Sequence, residues 1–149
     1  MKRLMLTLAM ATAASALIFS NPGAAQIQPP AKKAGRVVIV KPPEVELSTD
    51  FLTIIRWTTN NPGGADVHYG IVRYGRNPKD LNRMARNPIR LNQGHNTTTF
   101  RVRLDDLEPK TTYYYTVASE ESDGTSDGVI GEIRKFTTPG LGERVAATP

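Results

Sequence analysis

Beyond residue 36, apolar and polar positions alternate with period two, and each alternating run stops at a cluster of Gly, Pro or Asn. That is the pattern of short β-strands with one buried face, joined by turns. Phe51 to Thr58 shows it well. Phe51, Thr53, Ile55 and Trp57 fall on one face; Leu52, Ile54 and Arg56 fall on the other. The Trp57 face is assigned to the core. Thr97 to Leu104 places Phe100, Val102 and Leu104 together and sends threonines and arginines to the opposite side. Five more runs read as strands. Val37–Val40 with Glu44–Ser48 forms a first strand broken at Pro42-Pro43, as proline is tolerated at a sheet edge. The others are Asp66–Tyr74, Leu81–Arg86, Thr111–Ala118 and Val129–Thr138. The strongest turn signal is Asn60-Asn61-Pro62-Gly63-Gly64. There is no helical periodicity after the N-terminus and no internal repeat. About seven short strands at this spacing predict an all-β sandwich.

The run Leu107-x-Pro109-x-Thr111-x-Tyr113-x-x-x-Val117 adds detail. Leu107 can plug the core, and Pro109 stiffens the turn through its fixed φ. Tyr113 can bury its ring while its hydroxyl bonds to backbone upstream, the arrangement called a tyrosine corner. Val117 returns to the Tyr113 face. The expected structural core is Trp57, Tyr74, Leu107, Pro109, Tyr113 and Val117.

The first 25 residues have a different character. Lys2 and Arg3 precede an uncharged apolar stretch from Leu4 to Phe19, and Gly23-Ala24-Ala25 supplies small residues before Gln26. This is the three-part pattern of a cleaved secretory signal. The apolar stretch is shorter than the roughly 20 residues a membrane span needs. Gln26–Gly35 is rich in Pro, Ala and Lys and reads as a flexible tether. The expected organisation is therefore a signal peptide at 1–25, a linker at 26–35, one domain at 36–139 and a disordered tail at 140–149. The expected location is periplasmic or secreted, with no stable membrane insertion after cleavage. Cysteine is absent, which removes disulfides, thiolate metal sites and a cysteine nucleophile.

The alternating residues also resemble a known family. Trp57, Tyr74 and the Leu107-to-Val117 run resemble a seven-stranded fibronectin type III or immunoglobulin-like sandwich over roughly residues 36–139. A narrower likeness lies in Ile55-Arg56-Trp57-Thr58-Thr59, Val72-Arg73-Tyr74-Gly75, Thr112-Tyr113-Tyr114-Tyr115 and Phe136-Thr137-Thr138-Pro139. That succession is similar to the N-terminal domain of purple acid phosphatases. The resemblance implies a non-catalytic module beside a two-metal phosphoesterase domain. The Asp-x-His, Gly-Asp and Gly-Asn-His clusters of that catalytic domain are missing, and the only histidines are His68 and His95. No catalytic residue, metal site or cofactor is expected, and the chain is read as no enzyme.

Charge supplies the remaining candidates. Loss of Lys2 and Arg3 lowers the formal charge from +5 to +3. Arg73 to Arg90 holds six basic residues and one acidic, whereas Asp105 to Glu132 holds eight acidic and one basic. Candidate binding residues are Glu120, Glu121, Asp123 and Asp127 in the loop before the last strand, and Arg76, Arg83 and Arg86 in the basic run. Such asymmetry can steer a charged partner. Each run is also what a solvated surface looks like. The acidic spacing does not match a calcium-binding helix–loop–helix, and the two histidines read as surface or packing residues. Asn96-Thr97-Thr98 fits a glycosylation acceptor and is read here as the start of a strand. Tyr114, Arg73 and Arg101 could form an exposed aromatic–basic surface or ordinary cross-strand pairs. Leu52 and Ile54 lie opposite Trp57; they are covered by Val37–Val40 or mark a contact patch.

The function these readings support is an exported, non-catalytic binding or assembly module of the bacterial envelope or extracellular space. Its partner would be a protein or an envelope polymer, not a nucleic acid. Two other readings remain: an accessory domain docking on a separate metallophosphatase, and a structural subunit of a surface polymer that adds Val37–Val40 as a strand to its neighbour.

Overall fold

Trp57 and Phe100 stack at the centre of the molecule, ring centroids 5.3 Å apart, with Tyr74, Tyr113, Tyr115 and Phe136 forming a second aromatic group beside them. The inward positions of the alternating runs supply these side chains. The computed structural model describes residues 32–147, which form nine strands: β1 (Ile39–Thr49), β2 (Thr53–Asn60), β3 (Val67–Gly75), β4 (Arg83–Arg90), β5 (Thr97–Leu104), β6 (Thr112–Glu121), β7 (Ser126–Ile130), β8 (Arg134–Thr137) and β9 (Arg144–Ala146). The signal-peptide reading and most of the tether lie outside the described residues.

Two antiparallel sheets face each other. Sheet A runs β5-β2-β1-β9; sheet B runs β4-β3-β6-β7, with β8 pairing the start of β6. This is the fibronectin-like β-sandwich. The core joins Ile55 and Trp57 of β2, Phe100, Val102 and Leu104 of β5, Val72 and Tyr74 of β3, Tyr113, Tyr115 and Val117 of β6, and Phe136 of β8, with Leu107 beneath. Fully burying a large apolar side chain is worth roughly 1.5–3 kcal/mol. Gly70 sits where Trp57 crosses β3. A Cβ there would lie 3.0 Å from the Trp57 ring and 3.0 Å from Val102, so the sandwich closes at this point because β3 carries no side chain.

The tyrosine corner is present. The Glu108 N–H donates to the Tyr113 hydroxyl at 3.0 Å. The turn into it places Asp106 and Lys110 at φ of 55° and 49°, and Leu107 lies in the core. Pro109 does not belong to the core as expected. It is exposed, because it lies in the turn that follows Leu107, outside the strand that carries Tyr113 inward.

Other departures have local causes. Phe51 was expected beside Trp57 but is 54 % exposed. It precedes β2 in the β1–β2 turn, where alternation no longer holds. β4 runs Arg83–Arg90 rather than 81–86 and pairs with β3 along its length, Pro88 included; it is the edge strand, where proline is tolerated. The expected last strand is two, β7 and β8. They pair with successive parts of β6, and residues 131–133 break the run between them. The tail expected from 140 onwards contains β9, whose Arg144–Ala146 pairs with Thr49–Leu47 of β1. At the linker's end, the Ala34 N–H donates to the Pro62 carbonyl at 2.7 Å.

Leu52 and Ile54 are half-buried, but Val37–Val40 does not cover them. Ile39 pairs with Thr59 at the far end of β2. The register of β1 shifts between Val45 and Leu47, a bulge that places Glu46 and Leu47 on the same outer face. Leu47 lies opposite Ile54 and Ala146 follows it, so the β1 bulge and β9 shelter the apolar pair.

Candidate functional site

The acidic segment 120–128 is a hairpin rather than an open loop. β6 continues through Glu121, the chain turns at Ser122–Gly124 with Gly124 at φ 89°, and β7 begins at Ser126. Asp123 accepts from the Thr125 N–H at 2.8 Å, and that bond holds its carboxyl below the ordinary range. Glu120 pairs with Arg86 at 2.8 Å, and Glu121 pairs with Lys33. Asp127 faces inward with its side chain sealed from solvent. Its Oδ2 accepts from Ser119 Oγ at 2.6 Å and from His68 Nδ1 at 2.9 Å. Asp127 is therefore not presented at the surface, and among the described residues Asp123 is the one of the four carboxylates without an ion-pair partner.

His68 is a packing residue. Its Nε2 donates to the Gly63 carbonyl at 3.1 Å. With Nδ1 against a carboxylate oxygen already accepting from Ser119, both ring nitrogens face oxygen acceptors, an arrangement that favours the imidazolium. Burial opposes that charge most strongly. The Asp127 bond and charge, the Gly63 carbonyl and the nearby Glu121 together outweigh it, so the His68 pKa lies above its ordinary value of 6.5. Ser, Asp and His meet here without forming a nucleophile: Ser119 bonds the carboxylate, not the imidazole. His95 lies apart on the exposed loop, 3.3 Å from Asn92. Among the described residues no group of three or more His, Asp or Glu could hold a metal ion.

The basic run divides. Arg76 pairs with Glu108. Arg83 donates to the carbonyls of Asp105 and Asp106 at 3.0 and 3.3 Å and lies over the Tyr74 ring. Arg86 lies over Tyr69, 3.6 Å from the ring centroid, besides meeting Glu120. These three candidates are engaged by the chain's own groups. Arg73 and Arg90, the ends of the basic run, are exposed and make no ion pair among the described residues. Arg101 does not join Arg73 and Tyr114. It lies on the outer face of sheet A, where Glu46 accepts from its Nε at 2.8 Å and Arg56 bridges Glu44 and Glu46.

The most built feature is a groove of about 550 Å³ on the open side of the sandwich. Val37, Val38, Ile39, Pro42 and Pro43 form one wall, and Val129, Ile130 and Gly131 form the other. Arg36, Glu132 and Arg134 stand at its rim, and neither arginine has an ion-pair partner among the described residues. The groove exists because both flanking strands are edges there. β9 covers only Leu47–Thr49 of β1, and β7 ends its sheet. Period-two alternation cannot reveal a gap between two sheets, which is why sequence reasoning missed it.

Fold and surface thus define a β-sandwich module of the fibronectin type III kind. Residues 49–138 match the family described as the purple acid phosphatase N-terminal domain, and the chain belongs to that family. No curated protein sequence matches the chain. Among solved structures, the longer form of the sensor domain of the anti-sigma factor RsgI4 in Pseudobacteroides cellulosolvens is similar at 16 % identity and a TM-score of 0.46, covering 76 % of this chain and 98 % of that one. The shorter form gives 18 % identity and a TM-score of 0.42, covering 68 % and 99 %.

Proposed function

We propose that this chain is an exported, non-catalytic binding or assembly module of the bacterial envelope or extracellular space. The observation that carries the reading is the groove between β1 and β7–β8. Its volume of about 550 Å³ falls within the usual range of ligand sites, about 300–1,000 Å³, and its lining sets Val37, Val38, Ile39 and Val129 beside the charged Arg36, Glu132 and Arg134. Family membership supports the non-catalytic part, since the matched family is the phosphatases' N-terminal domain. The N-terminal sequence pattern supports export.

Family membership also favours a second reading, docking onto a separate metallophosphatase chain. Strand addition to a neighbour is less favoured. Among the described residues, 39–45 pair on one side only, but Pro42 and Pro43 remove two N–H donors from that edge.

Gly35 allows a clean test. It lines the groove, and a Cβ there would meet nothing within 4 Å. Gly35→Trp should fill the groove and leave the denaturation midpoint unchanged. A photo-crosslinker at the exposed Val38 should capture a partner in the native envelope with wild type and lose it with Gly35→Trp. Equal capture by both would sink the groove reading. N-terminal sequencing of the exported protein should find it starting at or near Gln26. Intact protein retaining Met1 in the membrane would overturn the export reading.

A further inference from the structure

The outward positions of sheet B form one continuous surface. Pairing sets Arg90 beside Val67, Pro88 beside Tyr69, Arg86 beside Ile71 and Met84 beside Arg73. On the other side of β3, Glu120 lies beside Tyr69, Ala118 beside Ile71 and Thr116 beside Arg73. Ile130 continues the Ile71–Ala118 row, and Lys135 lies beside Tyr114. Four cations, Arg73, Arg86, Arg90 and Lys135, thus share this face with one carboxylate, Glu120. That carboxylate is already held by Arg86.

The centre of the face is apolar. Ile71 points outward yet is only 8 % exposed. It floors a depression of about 100 Å³ lined by Ile71, Arg73, Thr116, Ala118 and Ile130. Met84 and Ile130 stand beside it, 55 % and 79 % exposed. An apolar centre within a charged rim is the anatomy of a protein–protein contact. Arg86 is pre-positioned: stacking on Tyr69 and bonding Glu120 hold its guanidinium flat on the sheet.

We infer that the outer face of β3, β4 and β6 with the end of β7 is a second docking surface, which shares only Ile130 with the groove wall, for an acidic polypeptide that inserts an apolar side chain between Arg73 and Ile130. The charge excess selects the sign of the partner. The depression selects a protein over a purely ionic polymer, because a polyanion has nothing to place there.

Three probes test this on the purified chain by fluorescence anisotropy: a peptide alternating Glu with Phe, a peptide alternating Lys with Phe, and dextran sulfate. The Glu–Phe peptide should bind, and its affinity should fall as salt is added. The Lys–Phe peptide should not bind. Ile130→Ser should weaken the Glu–Phe peptide by about fivefold or more, the scale of losing an interface anchor. Arg73→Glu with Arg90→Glu should weaken it further and flatten its salt dependence. Ile130, Arg73 and Arg90 are exposed, and the two arginines make no ion pair among the described residues, so the variants should keep the wild-type denaturation midpoint. Gly35→Trp should bind the peptide as wild type does, which separates this surface from the groove. Equal affinity of Ile130→Ser and wild type, or dextran sulfate displacing the peptide equally well from both, would reduce the face to non-specific charge and overturn the proposal. No binding of the Glu–Phe peptide would overturn it as well.

Discussion

His68 Nδ1 and Asp127 Oδ2 lie 2.9 Å apart with both side chains fully sealed from solvent. Fifty-nine residues separate them in sequence, and their pairing pins the β7 edge to β3. Removing one partner of such a buried pair strands a charge and costs about 3–5 kcal/mol, whereas replacing both with apolar groups of similar volume is far less damaging. His68→Leu should therefore destabilise strongly, and Asp127→Leu added to it should restore much of the loss. Urea denaturation would measure both. A double variant as unstable as the sum of the singles would show that the pair is not coupled.

The same pair makes stability depend on pH. The native His68 pKa lies above its unfolded value of 6.5. The contribution is therefore complete below about pH 6.5 and is lost as pH rises through the native pKa. Denaturation between about pH 6 and pH 9 should show wild type losing stability and His68→Gln lacking that component. A wild-type curve that rises with pH across this window would contradict the assignment.

Core substitutions should separate packing from hydrogen bonding. Trp57→Ala empties a site 1 % exposed and should cost roughly 3–5 kcal/mol. Tyr113→Phe keeps the ring but strands the Glu108 N–H, at about 1–3 kcal/mol. Denaturant midpoints would rank them, and Trp57→Ala unfolding at the wild-type midpoint would remove Trp57 from the core.

Gly70→Ala should destabilise although it adds only one methyl. The new carbon would lie 3.0 Å from Trp57, 3.0 Å from Val102 and 3.2 Å from Phe100. Overpacking of this kind costs about 1–3 kcal/mol. Trp57 fluorescence should shift with it. Unchanged stability and emission would mean that the two sheets can part freely at Gly70.

The purified chain should hydrolyse a generic phosphoester no faster than buffer, with iron, zinc or manganese added. Two-metal hydrolysis stabilises both attacking and leaving oxygens and needs a clustered ligand set. His68 is sealed in its pair with Asp127, and His95 stands on an exposed loop. A metal-dependent rate lost in both His68→Ala and His95→Ala would reverse this expectation.

Alternation along the chain by itself determined the all-β class, the Trp57 and Tyr74 faces and the tyrosine corner, because each depends on contacts that period-two burial or a short turn dictates. It also located the runs of charge. What those charges face was decided only by the tertiary structure. Glu120 and Arg86 lie 34 positions apart, and the register of β3 between β4 and β6 makes them partners. Asp127 turns inward because β7 brings it against His68. Among the described residues, no carboxylate is carried to Arg73 or Arg90. The groove is likewise a property of two strand edges from different sheets, and the apolar depression is a property of three paired strands. A side chain's alternation fixes its face; its neighbours on that face are set by strand order and register, which come from packing distant segments around one core.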